Sequence, residues 1–225
     1  MPSPVRGLTQ PERVEMSSRR LLHAAAELIV EKGWEATTAA EIGRRAGYSR
    51  AMVHARYGSK DSILEAFLGE YVKRLNPDPD VSVTGIQQAL AHFDRIQEIH
   101  AEDGELLRAM FVATFEAVKT TSPLRDRIQT QLMSGAVKVE AGLRNGIEDG
   151  SVRSDIDIDA AVKDITAAVF GIAFQWVAVP QAHDLDDELH CVRSRIIRQY
   201  GSAPARRRAG IARRPSTSLV SRKRQ

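Results

Sequence analysis

Along most of this chain, apolar residues recur at spacings of three and four, the mark of amphipathic helices rather than strands. From Met16 to Lys32, the residues Leu21, Leu22, Ala25, Leu28 and Ile29 share one helical face, and Gly33 follows as a stop. Thr38 with Glu41 three positions later forms a capping box. It opens a short helix, Ala39 to Ala46, with Ile42 and Ala46 inward and Gly47 at its end. Ser49 caps a third helix running to about Tyr57, with Tyr48 and Val53 spaced as a hydrophobic staple. After Gly58 and Ser59, a fourth helix begins near Lys60 and sets Ile63, Leu64, Phe67, Leu68 and Tyr71 on one side. The run Asn76 to Asp80, NPDPD, breaks it.

Beyond that break the pattern predicts long helices over roughly 84–101, 103–121, 123–149, 157–179 and 185–200. Gly104, Pro123, the turn from Glu148 to Ser151, and Pro180 separate them. No stretch of strict alternation is long enough for a strand, and no internal repeat occurs. The expected fold is therefore all-α. The expected division is a flexible arm at 1–15, a helix-turn-helix domain at 16–76, a second helical domain at 81–201, and a disordered basic tail at 202–225.

Apolar residues make up 43% and charged residues 27% of the chain, an ordinary globular balance that excludes a wholly disordered polymer. The longest apolar stretch, Ala167 to Pro180, is short for a membrane span and carries Gln175, so no span is expected. The first residues contain no apolar core of a secretory signal. Cys191 stands alone, which excludes an intrachain disulfide framework and suits a reducing cytoplasm. Charge changes the picture more. Residues 1–60 carry a net +4, residues 61–203 a net −9, and residues 204–225 a net +8. Basic ends on an acidic body favour docking of a polyanion end-on, and the arm and tail would add salt-sensitive, sequence-blind affinity.

The segment Thr37 to Lys60, two short helices around Gly47, is a helix-turn-helix pattern whose second helix enters a major groove. Its residues resemble the DNA-binding domain of the tetracycline-repressor (TetR) family of bacterial regulators. The resemblance rests on Gly33, Trp34, Thr37, Thr38, Ile42, Ala46, Gly47, Ser49, Val53, Tyr57, Ser59, Lys60 and Leu64, which match in type and register. Tyr48 stands where the family has a small aliphatic residue, and His54 where it has a tyrosine. The motif covers about 50 residues; the rest matches in helix layout and in weak signatures around Gly171, Gln175 and Trp176. What the resemblance implies for the C-terminal part is a small-molecule effector site and a homodimer interface.

Residue chemistry assigns roles within this frame. Arg50, Ala51, Met52 and His54 fall on the exposed front of the third helix. Arg50 pairs with a guanine edge or touches phosphate alone, and Met52 meets a thymine methyl. His54 donates to a base or phosphate, or is a plain surface histidine. Ser49 opens the same helix, and Arg56 adds positive charge or is merely solvated. Thr38, Tyr57 and Lys60 are candidate phosphate clamps near helix N-termini, with core packing the alternative for Tyr57. For the effector the candidate lining is Phe93, Ile96, His100, Leu107, Met110, Phe111, Thr114, Phe115, Met133, Val137, Phe170 and Phe174, with ordinary core as the bland alternative. Ala160 to Val179, rich in small residues around Gly171, together with 185–200, is the candidate four-helix dimer face.

No metal-ligand spacing, paired carboxylates, nucleophile elbow or phosphate loop occurs, so no metal, catalytic residue or cofactor is expected. The function expected is a cytoplasmic, ligand-responsive regulator, a homodimeric repressor on a palindromic double-stranded DNA operator, released by a small hydrophobic effector. An activator of the same fold, an architectural DNA binder and a helical enzyme are the alternatives.

Overall fold

The computed structural model describes residues 9–70, 72–119 and 125–210. About 77% of it is helix, without strands among the described residues. The elements are α1 (Gln10–Lys32), α2 (Ala39–Arg45), α3 (Arg50–Tyr57), α4 (Lys60–Glu70), a 3-10 turn (Val72–Leu75), α5 (Gly85–Glu102), α6 (Gly104–Glu116), α7 (Arg125–Glu148), α8 (Ile158–Ala178), α9 (Leu185–Tyr200) and α10 (Ala203–Arg208). A single antiparallel bridge pairs Val152 with Gly201.

The first four helices form the N-terminal helix-turn-helix domain. Helix α1 starts at Gln10, six residues earlier than the apolar periodicity predicts. Its first turn is polar, and a local device starts it: the Glu12 carboxylate accepts from both the backbone N–H and the hydroxyl of Thr9 at 2.7 Å. Only 1–9 of the expected arm is non-helical or lies outside the described residues. The anticipated face of α1 is buried throughout, as are Ile63, Leu64, Phe67 and Leu68 of α4. Tyr71 lies outside the described residues.

The C-terminal domain is a helical stack. Helix α5 crosses α7 closely, where Gly142 lies against the backbone of Ala89. Helix α8 lies between α7 and α9, and Asp164 of α8 accepts from Arg195 and the Tyr200 hydroxyl of α9. Helix α6 packs on α1 and so ties the two domains together. The basic tail was expected to be disordered from 202, but Ser202 caps α10 by accepting from Ala205 N. Residues 211–225 lie outside the described residues.

Helix α8 is the most apolar of the long helices among the described residues. It is long and apolar enough to cross a membrane by length and composition only, a criterion that the core helix of a soluble protein also meets. Its inner residues, among them Ile165, Val169 and Trp176, are core. Its outer stripe, Ala160, Ala167, Gly171, Phe174 and Ala178, follows helical spacing and is exposed.

Candidate nucleic-acid interface and ligand cavity

The geometry between α2 and α3 follows from five local features. Thr38 Oγ1 accepts from Glu41 N at 3.2 Å while the Glu41 carboxylate accepts from Thr38 N at 3.0 Å, which closes the first turn of α2. Gly47 has φ +78°, a backbone that side chains with a Cβ rarely adopt. Gly43 lies so close to the Ser49 carbonyl that a Cβ there would be 2.9 Å from it. This close approach has no periodic signature, and the sequence reading missed it. Ile42 and Val53, both fully buried, form the wedge between the two helices. Ser49 Oγ then accepts from Met52 N at 3.3 Å and starts α3.

With its inner side locked, α3 turns Ser49, Arg50, Ala51 and His54 outward, and Thr38 is exposed beside them. Met52 is half-buried and packs on the core. Two of the exposed residues are coupled. The Arg50 Nε–H donates to His54 Nε2 at 3.4 Å, and His54 Nδ1 lies 2.8 Å from the Gly58 carbonyl. That carbonyl can only accept, so His54 carries its proton on Nδ1 and leaves Nε2 as the acceptor for Arg50.

The other candidates for contact with DNA are turned inward. The Arg56 guanidinium donates to Ser17 Oγ at 3.0 Å, and the Tyr57 hydroxyl to the Ser18 carbonyl at 3.3 Å. Lys60 Nζ donates to the carbonyls of Trp34 and Thr37, both at 2.9 Å, and stands 4.9 Å from the centre of the Trp34 ring. Lys60 thus straps α4 to the segment before α2.

A cavity of about 330 Å³ lies between α5, α6, α7 and α8, roofed by Leu75, Asn76 and Pro77. Of the predicted lining, Ile96, Phe111, Thr114 and Phe170 face it. Phe93, Leu107 and Met110 are instead fully packed core. His100 sits 3.4 Å from Asp186 and edge-on to Trp176. Phe115 bridges Phe111 and Phe174 without lining the cavity. Met133, Val137 and Phe174 point outward, at 71%, 64% and 59% exposure. Helical spacing marks apolar positions, but only the packing of several helices separates core, cavity and outer surface. The polar lining that sequence reading missed is Gln88, His92, Gln131, Lys138 and Thr166. Burial pushes His92 down to about 4, so its ring is neutral near pH 7.

Residues 21–67 match the family described as bacterial regulatory proteins, tetR family. The HTH-type transcriptional regulator YdeS of Bacillus subtilis is 26% identical over 160 residues, 70% of this chain and 78% of that protein. The fatty acid metabolism regulator protein of the same bacterium is 22% identical over 171 residues, 74% of this chain and 86% of its own. Among solved structures, the SmeT–triclosan complex has a TM-score of 0.68 at 20% identity, covering 84% of this chain and 93% of that one. SmeT is the repressor of the Stenotrophomonas maltophilia multidrug efflux pump SmeDEF. TetR-family regulators bind DNA and small-molecule ligands and are typically dimers. A family match seated on the helix-turn-helix itself, with regulators as relatives along most of their length, makes this chain a TetR-family transcriptional regulator and not an enzyme.

Proposed function

We propose that this regulator is a cytoplasmic repressor that binds a palindromic operator as a homodimer and leaves it when a small hydrophobic effector fills the cavity. One observation carries the reading. Helix α6 walls the cavity with Phe111 and Thr114, and one turn later its Glu116 accepts the Trp34 backbone N–H at 2.9 Å. The same rigid element touches both the effector space and the DNA-binding domain, so a ligand that shifts α6 favours a different placing of α3.

Each subunit presents Ser49, Arg50, Ala51 and His54 to base edges, with Thr38 beside a phosphate. Arg56, Tyr57 and Lys60 support that surface from within. The division of labour falls at the segment after the 3-10 turn: the DNA-binding domain up to residue 76, the effector and dimer domain from 81 to 201. The outer stripe of α8 supports the dimer. Nothing lies within 4 Å of where a Gly171 side chain would begin, leaving room for the close approach of a partner helix, and Phe174 offers apolar area beside it.

Selection of bound sequences from random duplexes tests this reading. An inverted repeat with half-sites about 34 Å apart, or a multiple of that, is the expected result. A single asymmetric site, or no enrichment, would overturn it.

A further inference from the structure

The roof of the cavity is held down by one side chain. Lys138 of α7 lines the chamber, and its Nζ donates to the carbonyls of Asn76 and Pro77 at 3.0 Å and to the Asp78 carboxylate at 2.9 Å. These three acceptors belong to the segment that follows the DNA-binding domain. Asn76 Nδ2 adds a bond to Ser134 Oγ at 3.3 Å. Lys138 is therefore a latch between the cavity wall and the chain that leads back to α4.

A second, more polar space of about 440 Å³ adjoins the chamber at this point and shares Asn76, Pro77, Gln131 and Lys138 with it. Arg74 and Asp78 complete the charged groups around it. Arg74 is paired with Glu102 at 2.8 Å, outside this lining. The Asp78 side chain is 99% exposed, so its hold on Lys138 is screened by water. The chamber walls are chiefly apolar, from Ile96, Phe111, Val139 and Phe170. An apolar chamber thus opens onto a mouth with two basic groups and one solvated acid.

We propose that the effector is a linear amphiphile with a carboxylate or phosphate head, its alkyl chain in the chamber and its head on Lys138, where it displaces the Asn76–Asp78 segment. The inference rests on the effector reading given above and specifies the ligand class and the release step. A cationic head would meet Lys138 and Arg74. A wholly apolar molecule would fill the chamber but leave the latch closed. An anionic head makes charge-assisted bonds to Lys138 that neutral carbonyls do not match. Freeing the segment 76–78 then loosens the connection to α4.

The full-length protein, the Lys138→Gln variant and the Lys138→Arg variant are titrated calorimetrically with dodecanoate, dodecyl phosphate and dodecanol. Both anions should bind the parent protein at least tenfold more tightly than dodecanol. Lys138→Gln should remove that preference without weakening dodecanol, and Lys138→Arg should keep it. Thermal melts show whether each variant is folded. In the parent protein, hydrogen exchange across 74–80 should rise with either anion and stay unchanged with dodecanol. A preference for one anion alone narrows the class to that head. Dodecanol binding as tightly as the anions would overturn the anionic head and leave the effector cavity standing. Anion preference surviving in Lys138→Gln would remove Lys138 as its seat. No binding of any probe would overturn this inference and the effector cavity together.

Discussion

The carboxylate of Glu116 accepts the backbone N–H of Trp34 at 2.9 Å, a bond between positions 82 apart in the chain. It joins the last turn of α6, a helix that walls the cavity, to the bend between α1 and α2. Gly33 beside it has φ +78°, and a Cβ there would collide with the Glu116 carboxylate. Glu116→Ala leaves a partly buried N–H without its acceptor, a loss of about 1–2 kcal/mol. In a chain of this size each kcal/mol lowers Tm by roughly 2–4 °C. The variant should also bind operator with a weakened response to effector. A melt and an effector titration indistinguishable from those of the parent would show that the contact carries no coupling.

Lys60 separates structural from DNA-contacting basic residues. Its ammonium serves two backbone carbonyls at 2.9 Å and the face of Trp34. Lys60→Met should lower stability by about 2 kcal/mol. The salt dependence of DNA binding by the folded fraction should stay the same. A phosphate clamp would behave in the opposite way: removing one lowers the slope of log K against log salt by about one with little change in Tm.

Arg50 and His54 act as a pair. Arg50→Ala should cost about 1–3 kcal/mol in discrimination at one base pair of each half-site. His54→Ala removes the acceptor that steers the Arg50 guanidinium, so it should relax preference at the same base pair by a smaller amount. Competition anisotropy with single-position operator variants reads both. Loss of preference at different positions would mean that His54 contacts a base on its own.

His92 predicts an acid sensitivity. Its ordinary value is 6.5 and burial brings it to about 4 in the folded chain. Between those values the unfolded chain takes up a proton that the folded chain refuses. The contribution is complete above 6.5 and is lost as pH falls toward 4. Burial is the cause of that shift. The parent should therefore lose about 2 kcal/mol more than His92→Gln between pH 7 and pH 5, measured by urea unfolding. Equal losses would place His92 in contact with water.

Local rules made much of the fold legible. Caps, stops and periodicity are short-range, and the helices at 185–200 and 158–178 lie within a residue of where apolar spacing sets them. The reading surface was legible in part for the same reason. Ala51 and His54 lie off the Val53 face of one short helix, where the helical period turns them outward, while Ser49 and Arg50 are exposed because they stand at the helix start. The same arithmetic could not tell an open Lys60 from one folded over Trp34. Which carbonyls stand within reach depends on how α1 ends and α4 begins, and those positions meet only in three dimensions.

The amino-acid order by itself determined that this protein is helical, that Gly47 lets α2 and α3 form a reading head, and that the chain ends are basic. Each of these follows from neighbouring residues or from composition. Tertiary structure alone decided that Ile96, Phe111, Thr114 and Phe170 share a cavity while Met110 is core and Phe174 lies outside. It also decided that Lys138 ties down the segment behind α4 and that Glu116 grips Trp34. Those outcomes depend on helices brought together from distant parts of the chain, and their burial is set by which faces meet rather than by the pattern on any one of them.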